Sequence, residues 1–257
     1  MMMMKKTNPF AIYTTLFLLA VWYLTTRLGL INPVLLPPPG AVFRRFLTML
    51  HSEYAGSTLF GHIVSSVRLV TISFLGAAAI GVPLGVAMEH SRIVRGMADP
   101  VVEFYRPLPP LAYLPLIIVW FGIGFLAKSV LIGVAALAPI IISTRAGVAS
   151  VPNEMKHAAL SMGARKVQVL LHVVLPAALP EIISGLRIGL GVAWSTLVAG
   201  EMVAATSGLG HMVLTASNYL ETDAVVLGII IIGIIAVAFE LAIRAAQRKF
   251  VPWKGKA

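Results

Sequence analysis

An unbroken apolar run near the carboxyl end constrains this chain more than any other feature. Residues 225–239 contain no polar side chain, and a helix needs about 20 mostly apolar residues to cross a hydrocarbon core about 30 Å thick. The whole chain of 257 residues is 58% apolar and 12% charged, whereas soluble domains have about 45–50% and about 25%. We therefore expect an all-α, polytopic membrane protein.

Six stretches are apolar and long enough to cross a membrane: residues 10–26, 69–88, 111–127, 129–144, 182–205 and 224–243. Only Lys128 and its neighbours separate the third stretch from the fourth, so these two can also form one hairpin that turns shallow in the membrane. The first stretch follows Lys5 and Lys6, and no small-residue cleavage site follows it. We predict an uncleaved anchor rather than a signal peptide.

The distribution of Lys and Arg predicts how these spans are oriented. With a cytoplasmic amino terminus, the cytoplasmic segments hold fourteen Lys and Arg residues and the opposite segments four. This is a strong positive-inside bias, and it places both termini in the cytoplasm. The net charge of +10 is then explained by cytoplasmic loops and anionic lipid headgroups, and we expect no nucleic-acid partner.

The residues show no pattern typical of catalysis, metal binding or cofactor binding. The chain has no cysteine, which excludes disulfides and thiolate chemistry, and its six histidines lack metal-ligand spacing. Gly122 to Ser129 resembles a phosphate loop, but Ala127 replaces its last glycine and the segment joins two apolar spans. We expect no catalytic residue, no metal site and no cofactor in this chain.

Several short patterns predict local packing. The pairs Gly81–Gly85 and Gly185–Gly189 have the spacing that lets membrane helices approach closely. Residues 41–50 carry Val42, Phe46, Met49 and Leu50 on one helical face, which indicates an interfacial helix or a plain connector. Glu201 falls in or near a span and is predicted to be a structural hydrogen-bond acceptor.

The loop of residues 151–176 is too polar to cross the membrane, yet its apolar residues recur with the period of a helix. Its first piece places Met155, Ala158, Ala159 and Met162 on one small apolar face, and Gly163 breaks it. The second piece, residues 165–174, has an apolar stripe and is predicted to end at Pro176. The apolar face either docks into a partner or covers the ends of the chain's own spans.

The loop resembles the EAA loop of ABC importer permeases. The spacing of Ala158-Ala159, Gly163, Val173 and Leu175-Pro176 matches the family pattern, except that His157 stands in place of its Glu and Val173 in place of its Ile. Glu154, one turn away, is a candidate substitute for the missing Glu. The resemblance implies that Glu154, His157, Ala158, Ala159, Gly163, Leu175 and Pro176 form a loop that couples to an ATPase.

The resemblance extends over about residues 31–253. Within the family, the chain is similar to the nitrate/sulfonate/taurine branch, and most of all to taurine permeases. Its motifs lie at residues 36–39, 105–107, 109–112, 114–116, 120–124, 186–191, 194–195, 201 and 252–253. The resemblance implies a homodimer in the bacterial inner membrane with two ABC ATPase subunits, which bind ATP and Mg, and a periplasmic binding protein. That protein is expected to contact the external loop of residues 207–223.

These resemblances imply three regions: an anchor helix and periplasmic loop (1–64), a permease core (65–245) and a basic cytoplasmic tail (246–257). The core would carry a sulfonate such as taurine, or another anion of the branch. Arg187, Trp194, Ser195 and Thr196 are candidate pathway residues, and Arg187 is alternatively an interfacial anchor. A secondary transporter, a channel and a membrane-embedded enzyme are the rival classes, and the EAA spacing argues against all three.

Overall fold

The computed structural model describes residues 9–251, and these are almost entirely helical, with no β-strand among them. The helices are α1 (Pro9–Arg27), α2 (Pro39–His51), α3 (Leu59–His90), α4 (Arg92–Tyr105), α5 (Pro110–Phe121), α6 (Phe125–Ala149), α7 (Asn153–Ser161), α8 (Lys166–Val169), α9 (Leu175–Ala204), α10 (Leu209–Asn218) and α11 (Thr222–Phe250). A π turn, Leu170–Val174, joins α8 to α9. Lys5, Lys6 and the motif at residues 252–253 lie outside the described residues.

Four helical segments are long and apolar enough to cross a membrane: α3, α6, the continuous segment Lys166–Val203 and α11. They correspond to the second, fourth, fifth and sixth predicted spans, and each is longer than predicted. The count of six spans stays a prediction. The division into three regions also stays a prediction. Both of its boundaries fall inside helices, since α3 runs through residue 64 and α11 through residue 245 without a break.

The predicted third span, residues 111–127, begins within one residue of α5, but its predicted end is wrong. The backbone turns at Gly122 and Gly124, where φ is +73° and +159°, so α5 ends at Phe121, and Ala127 already belongs to α6. Helix α4, which precedes α5, is less apolar, and neither helix is among the four segments that are long and apolar enough to cross a membrane. Helix α4 reaches α6 through the ion pair of Asp99 with Arg145 and through an apolar cluster that contains Val102, Ala138 and Ile141. Helix α5 shares a second apolar cluster with α6, which contains Leu114, Ile117 and Leu131.

Helix α6 lies at the centre of the bundle between α3 and α9, and glycines set the approach of both. A Cβ atom at Gly85 would lie 2.8 Å from the carbonyl oxygen of Ile141 and from Cβ of Thr144. On the other side, a Cβ at Gly189 would lie 2.7 Å from the side chain of Ile140. The structure therefore confirms that the two predicted glycine pairs mark helix contacts.

A Gly85→Ala variant is expected to lose about 1–3 kcal/mol of stability, because the added methyl group must push α3 away from the backbone of α6. The measurement is thermal unfolding of the detergent-solubilised protein. Gly76→Ala is the matched control on the same helix, since a Cβ at Gly76 would meet nothing within 4 Å. Equal melting temperatures for the two variants would contradict the close contact.

The predicted helix over residues 41–50 is present as α2, and it packs on its own chain. Val42 and Met49 are buried in the main apolar cluster, while Leu50, expected on the same face, is 48% exposed. Nε of Arg45 donates to Oδ2 of Asp223 at 3.0 Å, and this hydrogen bond raises the pKa of the Arg45 guanidinium. Helix α2 is therefore fixed to the start of α11, which agrees with the connector interpretation.

Candidate functional site

The loop between α6 and α9 is organised by a left-handed glycine. Gly163 has φ +86°, and its amide donates to the carbonyl of Leu160 while the amide of Ala164 donates to that of Ala159. This pair of hydrogen bonds is the Schellman arrangement that closes a helix. A side chain at residue 163 would meet nothing within 4 Å, so backbone conformation and not space requires the glycine. The predicted break is confirmed.

The two alanines of the motif have different surroundings. Ala159 is 7% exposed and packs in an apolar cluster with Val148, Val151, Val169, Val174, Ala178 and Ile182. Ala158 is exposed. The single apolar face predicted for this helix is therefore divided, with one part covering the chain's own helices and the other free.

The free part has both apolar and titratable side chains. Its exposed residues, which we call the α7 surface, are Glu154, Met155, His157, Ala158 and Met162. Met162 is 82% exposed and Met155 47%. Flexible methionine side chains with small neighbours suit the groove of another protein.

Leu175 and Pro176 lie within a continuous helix, and the predicted end at Pro176 is wrong. The amide of Leu175 donates to the carbonyl of Leu170 across the π turn. Pro176 has no N–H to donate and lies just after the π turn, so the hydrogen-bonding pattern changes at this point while the helix continues. Both residues are half-buried. They join the loop to the long helix instead of forming its outer surface.

The four pathway candidates on α9 do not converge. Arg187 donates from Nε to Oε2 of Glu240 on α11 at 2.8 Å, and Trp194 packs against Phe239 with 5.5 Å between ring centroids. These two line a small cleft between α9 and α11. Ser195 is exposed and bonds the carbonyl of Gly191, while Thr196 is buried. The pathway role of all four stays a prediction, and the charge of Arg187 is already paired.

Glu201 is a buried acceptor, as predicted. It is 1% exposed, and it accepts hydrogen bonds from the hydroxyl of Ser66 at 2.7 Å and from the amide of Gly210 at 2.9 Å. The hydroxyl of Ser66 in turn accepts the amide of Leu209 at 2.9 Å.

A histidine that the sequence analysis missed completes this network. Nδ1 of His62 accepts the amide of Gly208 at 3.0 Å, so its Nε2 carries the proton and donates to the carbonyl of Tyr54 at 2.8 Å. Together these bonds fix residues 208–210 to α3 and α9. Gly208, Leu209 and Gly210 are buried. This part of the predicted partner-binding loop is therefore internal, and its exposed part is residues 217–220.

Within residues 9–251, no three His, Asp or Glu side chains gather in a way that would hold a metal ion. The two features on which a function can rest are therefore the α7 surface and the buried anchor of the 207–210 segment. The first offers an exposed docking surface joined to a long helix. The second ties the far end of that same helix to the loop before α10.

The chain resembles known membrane proteins over most of its length. A profile of the family described as "binding-protein-dependent transport system inner membrane component" matches residues 79–255. The taurine transport system permease protein TauC of Escherichia coli (strain K12) is 49% identical over 98% of this chain and 92% of its own. The putative aliphatic sulfonates transport permease protein SsuC of Bacillus subtilis (strain 168) is 32% identical over 92% of this chain and 84% of its own.

The fold also resembles a solved structure. The MetNI methionine ABC transporter, in an inward-facing crystal form, superposes with a TM-score of 0.61 at 24% identity, over 73% of this chain and 95% of that one. At this level of identity the likeness concerns the fold alone.

Proposed function

The chain belongs to the family of binding-protein-dependent transport system inner membrane components, and from this premise we propose that it is the permease subunit of an ATP-driven importer for a small organic sulfonate, taurine first. The subunit does no chemistry, since ATP and Mg are bound by a separate ATPase. Its work is a conformational equilibrium that partners shift by binding its two states differently.

The observation that carries this proposal is the continuity between the α7 surface and α9. The π turn and the buried cluster around Ala159 hold the loop against the helix Lys166–Val203. A partner that moves the loop must therefore move the helix. This is the arrangement that an importer needs to convert ATPase closure into a change of pathway access.

The α7 surface is the proposed ATPase contact, with Ala158 and the two methionines as its apolar part. Glu154 and His157 are its titratable groups, and Gly163 sets its orientation. Two copies of the chain would present two such surfaces to two ATPase subunits. A periplasmic binding protein would deliver the substrate to the exposed residues 217–220.

The choice of substrate rests on similarity to TauC, which its name assigns to taurine transport. Another anion of the branch, an alkanesulfonate or nitrate, is the alternative. The experiment is uptake by proteoliposomes that contain this chain with its ATPase and binding protein. We expect taurine uptake that requires both partners and ATP. Uptake driven by an ion gradient without the ATPase would instead indicate a secondary transporter.

The proposed orientation, with both termini in the cytoplasm of a bacterial inner membrane, makes a labelling prediction. Because the chain has no cysteine, a single introduced cysteine is the only thiol in the protein that a maleimide can label. In intact cells that produce the chain without its ATPase and binding protein, so that neither position is covered, a membrane-impermeant maleimide is expected to label Tyr219→Cys and to leave Met162→Cys unlabelled until the membrane is opened. Both positions are more than 70% exposed, so access to the compartment decides the result. The opposite pattern would overturn the orientation.

A further inference from the structure

The helical path between α4 and α5 breaks at residues 106–109, alongside the middle of α6. Pro107 and Pro109 interrupt the hydrogen-bonding pattern there. The neighbouring residue Pro139 of α6 lies ten residues before the end of that helix, roughly 15 Å at 1.5 Å per residue. Non-helical backbone at membrane depth is tolerated where protein covers it or water reaches it.

A cavity of about 250 Å³ lies at this break, and we call it the break cavity. Its apolar walls come from α6 and α9: Ala135, Ala138, Pro139, Ile142 and Val192. The polar residues on its opposite side are Tyr105, Arg106 and Tyr113. Its volume lies just below the range of about 300–1,000 Å³ typical of drug-sized ligands, so it suits a smaller molecule.

Two polar groups of the break cavity lack partners. The hydroxyl of Tyr105 is buried and has no hydrogen-bond partner among the described residues, which is uncommon for a buried polar group. No carboxylate among residues 9–251 lies within 4 Å of the Arg106 guanidinium. Five other arginines have such a partner, namely Arg45, Arg95, Arg145, Arg187 and Arg244, whereas Arg106, which is exposed, belongs to those that do not.

We propose that the break cavity transiently binds the oxyanion head group of the transported molecule, a sulfonate first, through the guanidinium of Arg106 and the hydroxyl of Tyr105. This inference rests on the proposed function and adds the site within the permease. A guanidinium presents paired N–H donors to the oxygens of an anion. The apolar walls supply no further charge, so the anion is bound weakly enough to leave the cavity again.

A second cavity of about 390 Å³ adjoins this one. Arg106 lines both, and the second also contains Glu89, Asp99 and Glu103. Arg145 pairs with Glu89 and Asp99, whereas Glu103 has no ion-pair partner within the described part of the chain. Arg95 also lines this second cavity, so its three arginines and three carboxylates balance, and an anion that leaves Arg106 meets no net positive charge there.

The test compares uptake by the full transporter in proteoliposomes at saturating binding protein. Arg106→Gln is expected to lower taurine uptake at least tenfold, and Arg106→Lys to restore more than half of it. Tyr105→Phe is expected to lower uptake threefold or more without lowering the melting temperature, since the lost hydroxyl has no protein partner. Arg92→Gln is the control, because Arg92 is an exposed arginine at the start of α4, and this variant is expected to match the wild type.

The outcomes separate this inference from the function on which it rests. If the wild type carries taurine and both Arg106→Gln and Tyr105→Phe match Arg92→Gln, the site is wrong and the function stands. If the wild type carries nitrate instead, the proposed sulfonate is wrong. Arg106→Gln must then lower nitrate uptake by the same factor, or the site is wrong as well. A fall in melting temperature for Tyr105→Phe would indicate a structural hydroxyl and overturn its role in binding.

Discussion

An Ala158→Glu variant is expected to lose at least tenfold in ATP-driven uptake while its permease remains folded and inserted. Ala158 is small and exposed at the centre of the α7 surface, so a carboxylate there costs the isolated chain little. In a docked complex the same carboxylate would be buried without a partner, which costs several kcal/mol. Each 1.4 kcal/mol is about a tenfold loss of ATPase affinity. Co-purification of the ATPase and uptake measure the effect.

The neighbouring Ala159→Glu variant is the matched comparison. Ala159 is buried in the cluster behind the loop, so the carboxylate would disrupt the chain itself by about 3 kcal/mol and lower the melting temperature. Gly163→Pro belongs with it, because proline fixes φ near −65° where the structure has +86°. Normal ATPase recruitment and uptake in Ala158→Glu would remove the α7 surface as the ATPase contact.

A Glu201→Ala variant is expected to lose about 3 kcal/mol of stability and to release the 207–210 segment. The substitution leaves the Ser66 hydroxyl and the Gly210 amide buried without their acceptor, and each such group costs about 1–3 kcal/mol. Thermal unfolding measures the loss of stability. Amide exchange at residues 208–210 measures the release of the segment, because those amides would open without global unfolding.

Two further variants make this expectation specific. Glu201→Gln keeps one carbonyl oxygen in place, so it is expected to lose less than half as much stability as Glu201→Ala. Ser217→Ala changes an exposed residue of α10 and is expected to be neutral. Exchange rates at residues 208–210 that are equal in Glu201→Ala and Ser217→Ala would show that the network does not anchor the segment.

The long apolar runs were sufficient to predict the spanning helices, because any 20 apolar residues in a row have few alternatives. Helix α4 was not predicted, since Arg95, Asp99 and Glu103 make this segment too polar to resemble a span. The structure shows how these charges are accommodated: Asp99 pairs with Arg145 of α6. That pairing joins residues 46 positions apart, and no local pattern in the sequence predicts it.

The same limit applies to the candidate site. Motif spacing located the loop and its glycine, but helical period alone could not separate Ala158 from Ala159, since the packed cluster behind them comes from three separate segments. Ser66 and Glu201 are 135 residues apart. The sequence signal for this network was weaker. Ser66 and His62 stand one turn apart at the beginning of an apolar helix, and Gly208 and Gly210 flank Leu209 in the segment that those two side chains hold.

The uninterrupted helix from Lys166 to Val203 has a mechanical consequence for the proposed importer. At about 1.5 Å per residue, the helical rod from Lys166 to Glu201 is roughly 52 Å long along its path, and the π turn Leu170–Val174 lies near its first end. The cytoplasmic end of this rod supports the proposed ATPase contact, and its opposite end holds the segment before α10. A movement imposed at one end therefore reaches the other along a single continuous helix. Communication across the full thickness of the membrane needs no relay of intermediate helices.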